Sequence, residues 1–249
     1  MRFDCKTKIY VIRIKINLRP IPIVVSGFVM KGCLLMNNEE RIQMALKYMK
    51  EFHKNDYSGH DVEHVNRVHA LAKYIAKNEG FEQPFIIEIS SILHDTIDPK
   101  LVNEQQGKNN LIKFLSDIEL SKDDQNHVIH IIENMSFKKG SNNFIELSTE
   151  GQIVRDADRL DAIGAIGIAR TFQFAGYFNE PMWTETKVPD NFSDSTLTQL
   201  PPSAIKHFYE KLFKLKDLMH TKTAKHIAIQ RHEFMKTFVS QFFDEWHYI

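Results

Sequence analysis

An apolar run from Phe85 to Leu93 ends abruptly in His94-Asp95. An imidazole and an ionised carboxylate, side by side at the end of a buried segment, are costly to bury without a partner. A divalent cation is one such partner, because it accepts nitrogen and oxygen ligands together. Two other segments offer further contacts. His64 stands in Gly59-His60-Asp61-Val62-Glu63-His64-Val65-Asn66-Arg67-Val68, and Asp158 in Asp156-Ala157-Asp158-Arg159-Leu160-Asp161-Ala162. Such a two-nitrogen, two-oxygen set suits Mn²⁺, Mg²⁺, Fe²⁺ or Zn²⁺, and geometry decides among them. Four protein ligands leave positions on a six-coordinate ion for a water and a substrate oxygen. Taken singly, each of these residues also reads as a helix cap or a paired core polar group.

The neighbours of these residues extend the chemistry. His60 lies one turn before His64 and reads as a fifth ligand, a phosphate contact or a turn residue; the phosphate contact is the preferred role. Asp98 follows the His-Asp pair by three residues, where a carboxylate could orient or deprotonate an attacking water. Its competing role is a helix-end cap before Pro99. Arg67, Lys100 and Arg159 sit close in sequence to the ligand candidates and could hold non-bridging phosphate oxygens. Arg67, one turn beyond His64, leads that group; surface or supporting ion pairs are the alternative for each. Lys108, and Lys187 on a long loop, add positive charge near the motifs. Asp161, one turn after Asp158, could hold a ligand histidine in its tautomer or pair near Arg159. Phe178 and Trp183 could stack on a base, although anchoring the loop is the preferred reading.

Three segments carry these residues in order, GHDVEHVNRV, ISSILHDTIDPK and RDADRLDAIGAIGIARTF. With the intervening helices they span about Asn38 to Trp246 and resemble the HD superfamily of metal-dependent phosphohydrolases. The chain looks most like the compact, stand-alone HD proteins associated with nucleotide pyrophosphate hydrolysis. The resemblance implies an all-α HD-type helical bundle holding one divalent metal ion through His64, His94, Asp95 and Asp158. Relatives that hydrolyse guanosine tetraphosphate carry two adjacent acids where this chain has Asp98-Pro99, which argues against that substrate. Two-metal HD proteins place several extra histidines between the His-Asp pair and the last aspartate. Here His127 and His130 precede a stretch to Asp158 with none, which favours one metal. The implied activity is hydrolysis of a nucleotide, cleaving a triphosphate to monophosphate and pyrophosphate. A 5′-nucleotidase and a catalytically silent nucleotide-binding sensor are the rival readings.

Composition sets bounds on these readings. The 249 residues suit one domain with a sizeable core or one domain plus an extension. Formal net charge is +0, from 32 basic and 32 acidic residues, which argues against a dominant nucleic-acid or membrane surface. The expected partner is a small phosphorylated molecule. Cys5 and Cys33 are the only cysteines, so a reducing compartment such as the cytoplasm is the default. Residues 1–36 differ from the rest, with seven basic residues against one acid. There Ile12, Ile14, Ile16 and Leu18 alternate with Arg13, Lys15, Asn17 and Arg19, the period of a half-buried strand. A transit peptide is a further reading, but the Ser-rich amphipathic helix expected of one is lacking. Residues 1–36 are therefore expected to be an extension outside the catalytic domain at 37–249, or translation upstream of a start at Met36. An edge hairpin or a membrane-surface segment remain as alternatives.

The elements that must position the site are helical. Apolar spacing predicts helices over 38–52, 61–78, 84–93, 111–120, 124–135, a long one over 152–174, then 203–219 and 223–246. Gly164 and Gly167 fall inside the long helix, where close packing of a neighbour would explain them. Ile227, Phe234, Phe238 and Phe242 form the expected inward stripe of the last helix. The span 178–202 is the one extended loop.

Overall fold

A computed structural model describes residues 36–135, 145–184 and 192–247. The strand-like pattern at Ile12–Leu18, the loop at Gly140–Asn143 and Lys187 lie outside them. Every regular element among the described residues is helical, so the all-α expectation holds. In order these are α1 (Asn38–His53), α2 (Val62–Asn78), α3 (Phe85–Leu93), α4 (Glu104–Asp117), α5 (Lys122–Glu133), α6 (Thr149–Asp161), α7 (Gly164–Tyr177) and α8 (Asp194–Gln199). Then come α9 (Ala204–His207), a π turn at Phe208–Leu212, α10 (Phe213–Leu215), a 3₁₀ turn at Lys216–Leu218 and α11 (Lys222–His247).

Local chemistry sets the starts. Asn37 and Glu40 form a reciprocal capping box on α1. Asp61 caps α2 by accepting from the His64 amide, and Asn103, Ser121 and Ser148 do the same for α4, α5 and α6. The Asn103 cap explains why α4 begins well before the apolar residues that predicted it. Its first turns are polar, and only Leu111, Phe114, Leu115 and the close-packed Gly107 are buried.

Two apolar clusters form the interior. One gathers Ile42, Met49, Ile89, Ile92, Leu111, Leu115 and Val128 from α1, α3, α4 and α5. The other gathers Val68, Ile75, Ile153, Leu160, Ile205, Phe208, Leu215 and Met235 from α2, α6 and the C-terminal helices. Ile86 packs against both. Burying a side chain of this size contributes about 1.5–3 kcal/mol. Helices α2 and α3 thus have an apolar face on each side, and α6 packs across both. The metal-ligand candidates lie at this three-helix meeting.

The long helix expected over 152–174 is two helices. Helix α6 ends at Asp161, Ile163 is extended and buried, and Gly164 takes φ +81°, a left-handed conformation that suits glycine. Arg231 from α11 donates to the Leu160 carbonyl at 2.5 Å, satisfying an open end of α6. A Cβ on Gly167 would come within 2.3 Å of the Ala162 carbonyl oxygen. Both glycines therefore serve the break itself. Of the expected inward stripe of α11, Ile227, Phe238 and Phe242 pack against the core and Phe234 does not. Ala224, Ala228, Met235 and Val239 are buried, while Phe234 is 53% exposed. The loop after α7 contains α8 and anchors Trp183, which is buried against Phe192 and Phe243. Phe178 is half-exposed.

Candidate metal centre

Helix α2 supplies His64 one turn after its cap, the end of α3 supplies His94 and Asp95, and α6 supplies Asp158. The Nε2 atoms of His64 and His94 lie 3.2 Å apart. Asp95 Oδ2 is 3.3 Å from His64 Nε2, and Asp95 Oδ1 is 3.3 Å from His94 Nε2. Asp158 Oδ1 is 3.7 Å from His64 Nε2 and 3.8 Å from His94 Nε2. His60, from the turn before α2, places Nδ1 2.9 Å from Asp95 Oδ2. His60, His64 and Asp95 thus form a second convergent trio of donors with the spacing to hold a metal ion.

The far sides of the rings decide what the near sides can do. His64 Nδ1 faces Asp161 Oδ2 at 2.8 Å, and His94 Nδ1 faces the Ser91 carbonyl at 2.8 Å. Both partners only accept, so both Nδ1 atoms carry hydrogen and each Nε2 turns its lone pair toward the cluster. Two lone pairs and two carboxylates converging in a buried site repel one another unless positive charge lies among them. The titration behaviour agrees. Burial favours a neutral His64, but Asp161 and Asp95 outweigh it and raise the ring to about 9. Burial would raise the Asp95 carboxyl, yet His94, His60 and His64 hold it well below the usual carboxylate range. The cluster draws positive charge, and a divalent ion fits the donors present.

Behind the cluster stands Asp161, almost fully buried. Besides His64 it accepts from Arg67 Nε at 2.7 Å, Arg67 Nη2 at 3.0 Å and Arg170 Nη1 at 3.0 Å. These partners overcome burial and hold its carboxyl far below the ordinary range. Arg67, the leading phosphate contact in the sequence, is thus spent on Asp161 and does not line the cavity in front of the cluster. Arg170, which lies in the third motif segment but had no role assigned from the sequence, also donates from Nε and Nη2 to the Gly59 carbonyl at 3.0 and 2.7 Å. It ties the turn bearing His60 to the aspartate that orients His64.

A cavity of about 340 Å³ opens on the cluster. Asp98, Lys100 and Arg159 line it, as do Lys206 and Lys211 from the C-terminal half. Asp98 Oδ1 accepts from its own turn, at the Lys100 amide, at 2.9 Å. Arg159 donates from Nη1 to the Leu218 carbonyl at 2.5 Å, and burial, with Arg155 nearby, lowers it to about 10. His127 bonds Ser148 at 2.8 Å, away from the cluster. Among the described residues no further group of candidate metal ligands exists.

Residues 61–163 match the family model described as HD domain. Uncharacterized protein YpgQ of Bacillus subtilis is 41% identical over 189 residues, covering 75% of this chain and 84% of YpgQ. A crystal structure from Lactobacillus plantarum superposes with TM-score 0.74 at 40% identity, over 85% of this chain and 99% of that one. The structure of Bacillus subtilis YpgQ in complex with ADP gives TM-score 0.65 at 35% identity, over 82% and 97%. An HD-superfamily hydrolase of Bacillus thuringiensis gives 0.65 at 38%, over 84% and 98%. The helices, the convergent donors and these likenesses agree, and the chain belongs to the HD superfamily of metal-dependent phosphohydrolases.

Proposed function

We propose that this enzyme hydrolyses a nucleoside triphosphate to monophosphate and pyrophosphate. The observation that carries the reading is one cavity joining the metal donors to several cations, Lys100, Arg159, Lys206 and Lys211. One phosphate does not require so many; a chain of phosphates does. The volume falls in the usual range for a small-molecule site, and the ADP held by YpgQ supports a nucleotide ligand.

When bound, a divalent ion lowers the pKa of water from ~16 toward ~7 and offsets phosphate charge. The chain's residues do the rest. Asp161 and the Ser91 carbonyl keep the His64 and His94 rings aimed. Asp98, on the cavity wall, takes the proton from the attacking water. The water oxygen bonds to the α-phosphorus as the bond from that phosphorus to the bridging oxygen breaks. The electron pair leaves on that oxygen as pyrophosphate. Lys100 and Arg159 hold non-bridging oxygens. Arg67 acts through Asp161 rather than on substrate.

Phosphorus NMR of products from nucleoside mono-, di- and triphosphates, with Mn²⁺, Mg²⁺, Fe²⁺ or Zn²⁺, tests the reading. Pyrophosphate and monophosphate from a triphosphate are expected, with kcat about 10²–10⁴ lower in Asp98→Asn at unchanged metal content. Inorganic phosphate released fastest from a monophosphate would mean a 5′-nucleotidase instead. Metal uptake with no turnover of any nucleotide would mean a sensor.

A further inference from the structure

The segment that follows the long loop is not one α-helix. Ala204–His207 is α-helical, Phe208–Leu212 widens into a π turn, and Phe213–Leu215 returns to α. π turns are rare and cluster at functional sites. No proline or glycine between Ala204 and Leu218 accounts for this one. Its inner face is fixed, because Ile205, Phe208, Leu212 and Leu215 are all buried in the core. The widening therefore changes what the outer face presents, and that face turns Lys206, His207, Glu210 and Lys211 to the cavity.

Lys206 is held by the Leu200 carbonyl at 2.6 Å and by Glu210 at 3.2 Å. Lys211 stands where the charges of Lys100, Asp158, Arg170 and Asp98 all reach its ammonium. Burial, and then Lys100, lower it to about 8. Burial, and then Lys211 and Lys100, push the His207 ring down to about 4. Lys100 and Lys211, from distant parts of the chain, thus line one cavity together with His94, Asp95 and Asp158. An anion in that cavity would meet both ammonium groups.

We propose that the π turn carries Lys211 to the far wall of the cavity, where Lys211 and Lys100 together grip the departing pyrophosphate of the substrate. The proposal rests on the pyrophosphohydrolase reading. In the hydrolytic step, the bridging oxygen takes the electron pair of the broken bond, and the two ammonium groups offset the charge that develops there. Lys211 lies beyond the region matched by the family model, residues 61–163, so the grip comes from the C-terminal half of the chain.

Three variants test it: Lys211→Met, Lys211→Arg and Lys100→Met. Lys100 is exposed, so its removal leaves folding intact; metal content and melting temperature check Lys211→Met. Lys211→Met is expected to lower kcat on a triphosphate about 10²–10³-fold, the scale of losing one charge-stabilising contact. Inhibition by inorganic pyrophosphate should weaken about tenfold or more in Lys211→Met and in Lys100→Met. Lys211→Arg should recover most of both. The two methionine losses should combine less than additively, because both lysines grip one ligand. Unchanged kcat and unchanged pyrophosphate inhibition in folded Lys211→Met would overturn the inference and leave the reaction assignment standing. If Lys211→Met fails to fold, full pyrophosphate inhibition of Lys100→Met overturns it equally. If the wild type cleaves no triphosphate, the reaction assignment fails by itself. Calorimetry of inorganic pyrophosphate binding then decides: equal affinity in wild type and Lys100→Met overturns the grip, and weakened affinity supports it.

Discussion

Three aspartates within six residues of α6 hold different posts. A helix turns 100° per residue, so Asp158 and Asp161 point about 60° apart, while Asp156 points away from both. Asp158 reaches the metal cluster, and Asp161 stands behind His64. Asp156 is fully buried on the other side, where it accepts from the amides of His220 and Thr221, at 2.9 and 2.8 Å, and from the Thr221 hydroxyl at 2.9 Å. It fastens the start of α11 and takes no part in the site. Helical spacing in the sequence separates these faces, but it cannot say which neighbour covers each. That is why Asp158 was legible from its motif, Asp161 stood between two readings, and Asp156 had no reading. The same reason applies to Arg67. One turn from His64 is the right place for a phosphate contact, and equally for an ion pair with a carboxylate from another helix. Asp161→Asn keeps the shape while removing the charge that holds His64 Nδ1–H and both arginines. Metal affinity should fall about 10–100-fold, the usual effect of losing a partner behind a ligand. Titration with Mn²⁺ would measure it, and unchanged affinity would return Asp161 to a purely structural role.

At the scale of elements, the junction between α6 and α7 does most to shape the site. Apolar periodicity runs through 152–174 without interruption, so the sequence reads as one helix. The break is made by interactions that periodicity does not encode: the left-handed Gly164, the buried Ile163 and Arg231 reaching from α11 to the Leu160 carbonyl. Breaking there swings α7 so that Arg170 meets both Asp161 and the Gly59 carbonyl. Gly167 makes the turn possible, since an added Cβ would lie 2.3 Å from the Ala162 carbonyl oxygen. That neighbour is backbone and cannot swing aside. Gly167→Ala should therefore cost about 1–3 kcal/mol, the range for overpacked interiors. For a chain of this size that lowers the melting temperature by roughly 2–4 °C per kcal/mol. Thermal melts would show it, and turnover should drop as well because Arg170 shifts. A stable, fully active Gly167→Ala would mean that the junction has slack. The π turn belongs to the same class of feature. The apolar spacing of Ile205, Phe208, Leu212 and Leu215 is compatible with an ordinary helix, and nothing in it signals that Lys211 will face the metal cluster.

For the molecule as a whole, the described residues between Met36 and His247 supply two apolar clusters and the lining of the site. The Lactobacillus plantarum protein is matched over 99% of its own length, yet that match takes in 85% of this chain. Residues 1–36 also stand apart in charge and in the period of their apolar residues, and they carry none of the motif residues. Met36 itself begins the described chain with an amide that donates to Glu119 at 3.3 Å, and its side chain packs on the cluster around α1. A chain starting at Met36 should consequently fold, bind metal and hydrolyse the same substrate as the full chain. Melting temperature, metal content and kcat/KM of the two forms would be compared under one set of conditions. Agreement within about twofold in kcat/KM is expected, since none of the described residues that line the site or form either cluster is removed. The chelator-treated forms supply a second comparison. Because metal binds only the folded donors, removing it should lower the melting temperature of both forms by the same amount. A large drop confined to the shortened chain would show that the alternating stripe of Ile12 to Leu18 is buried against the helices.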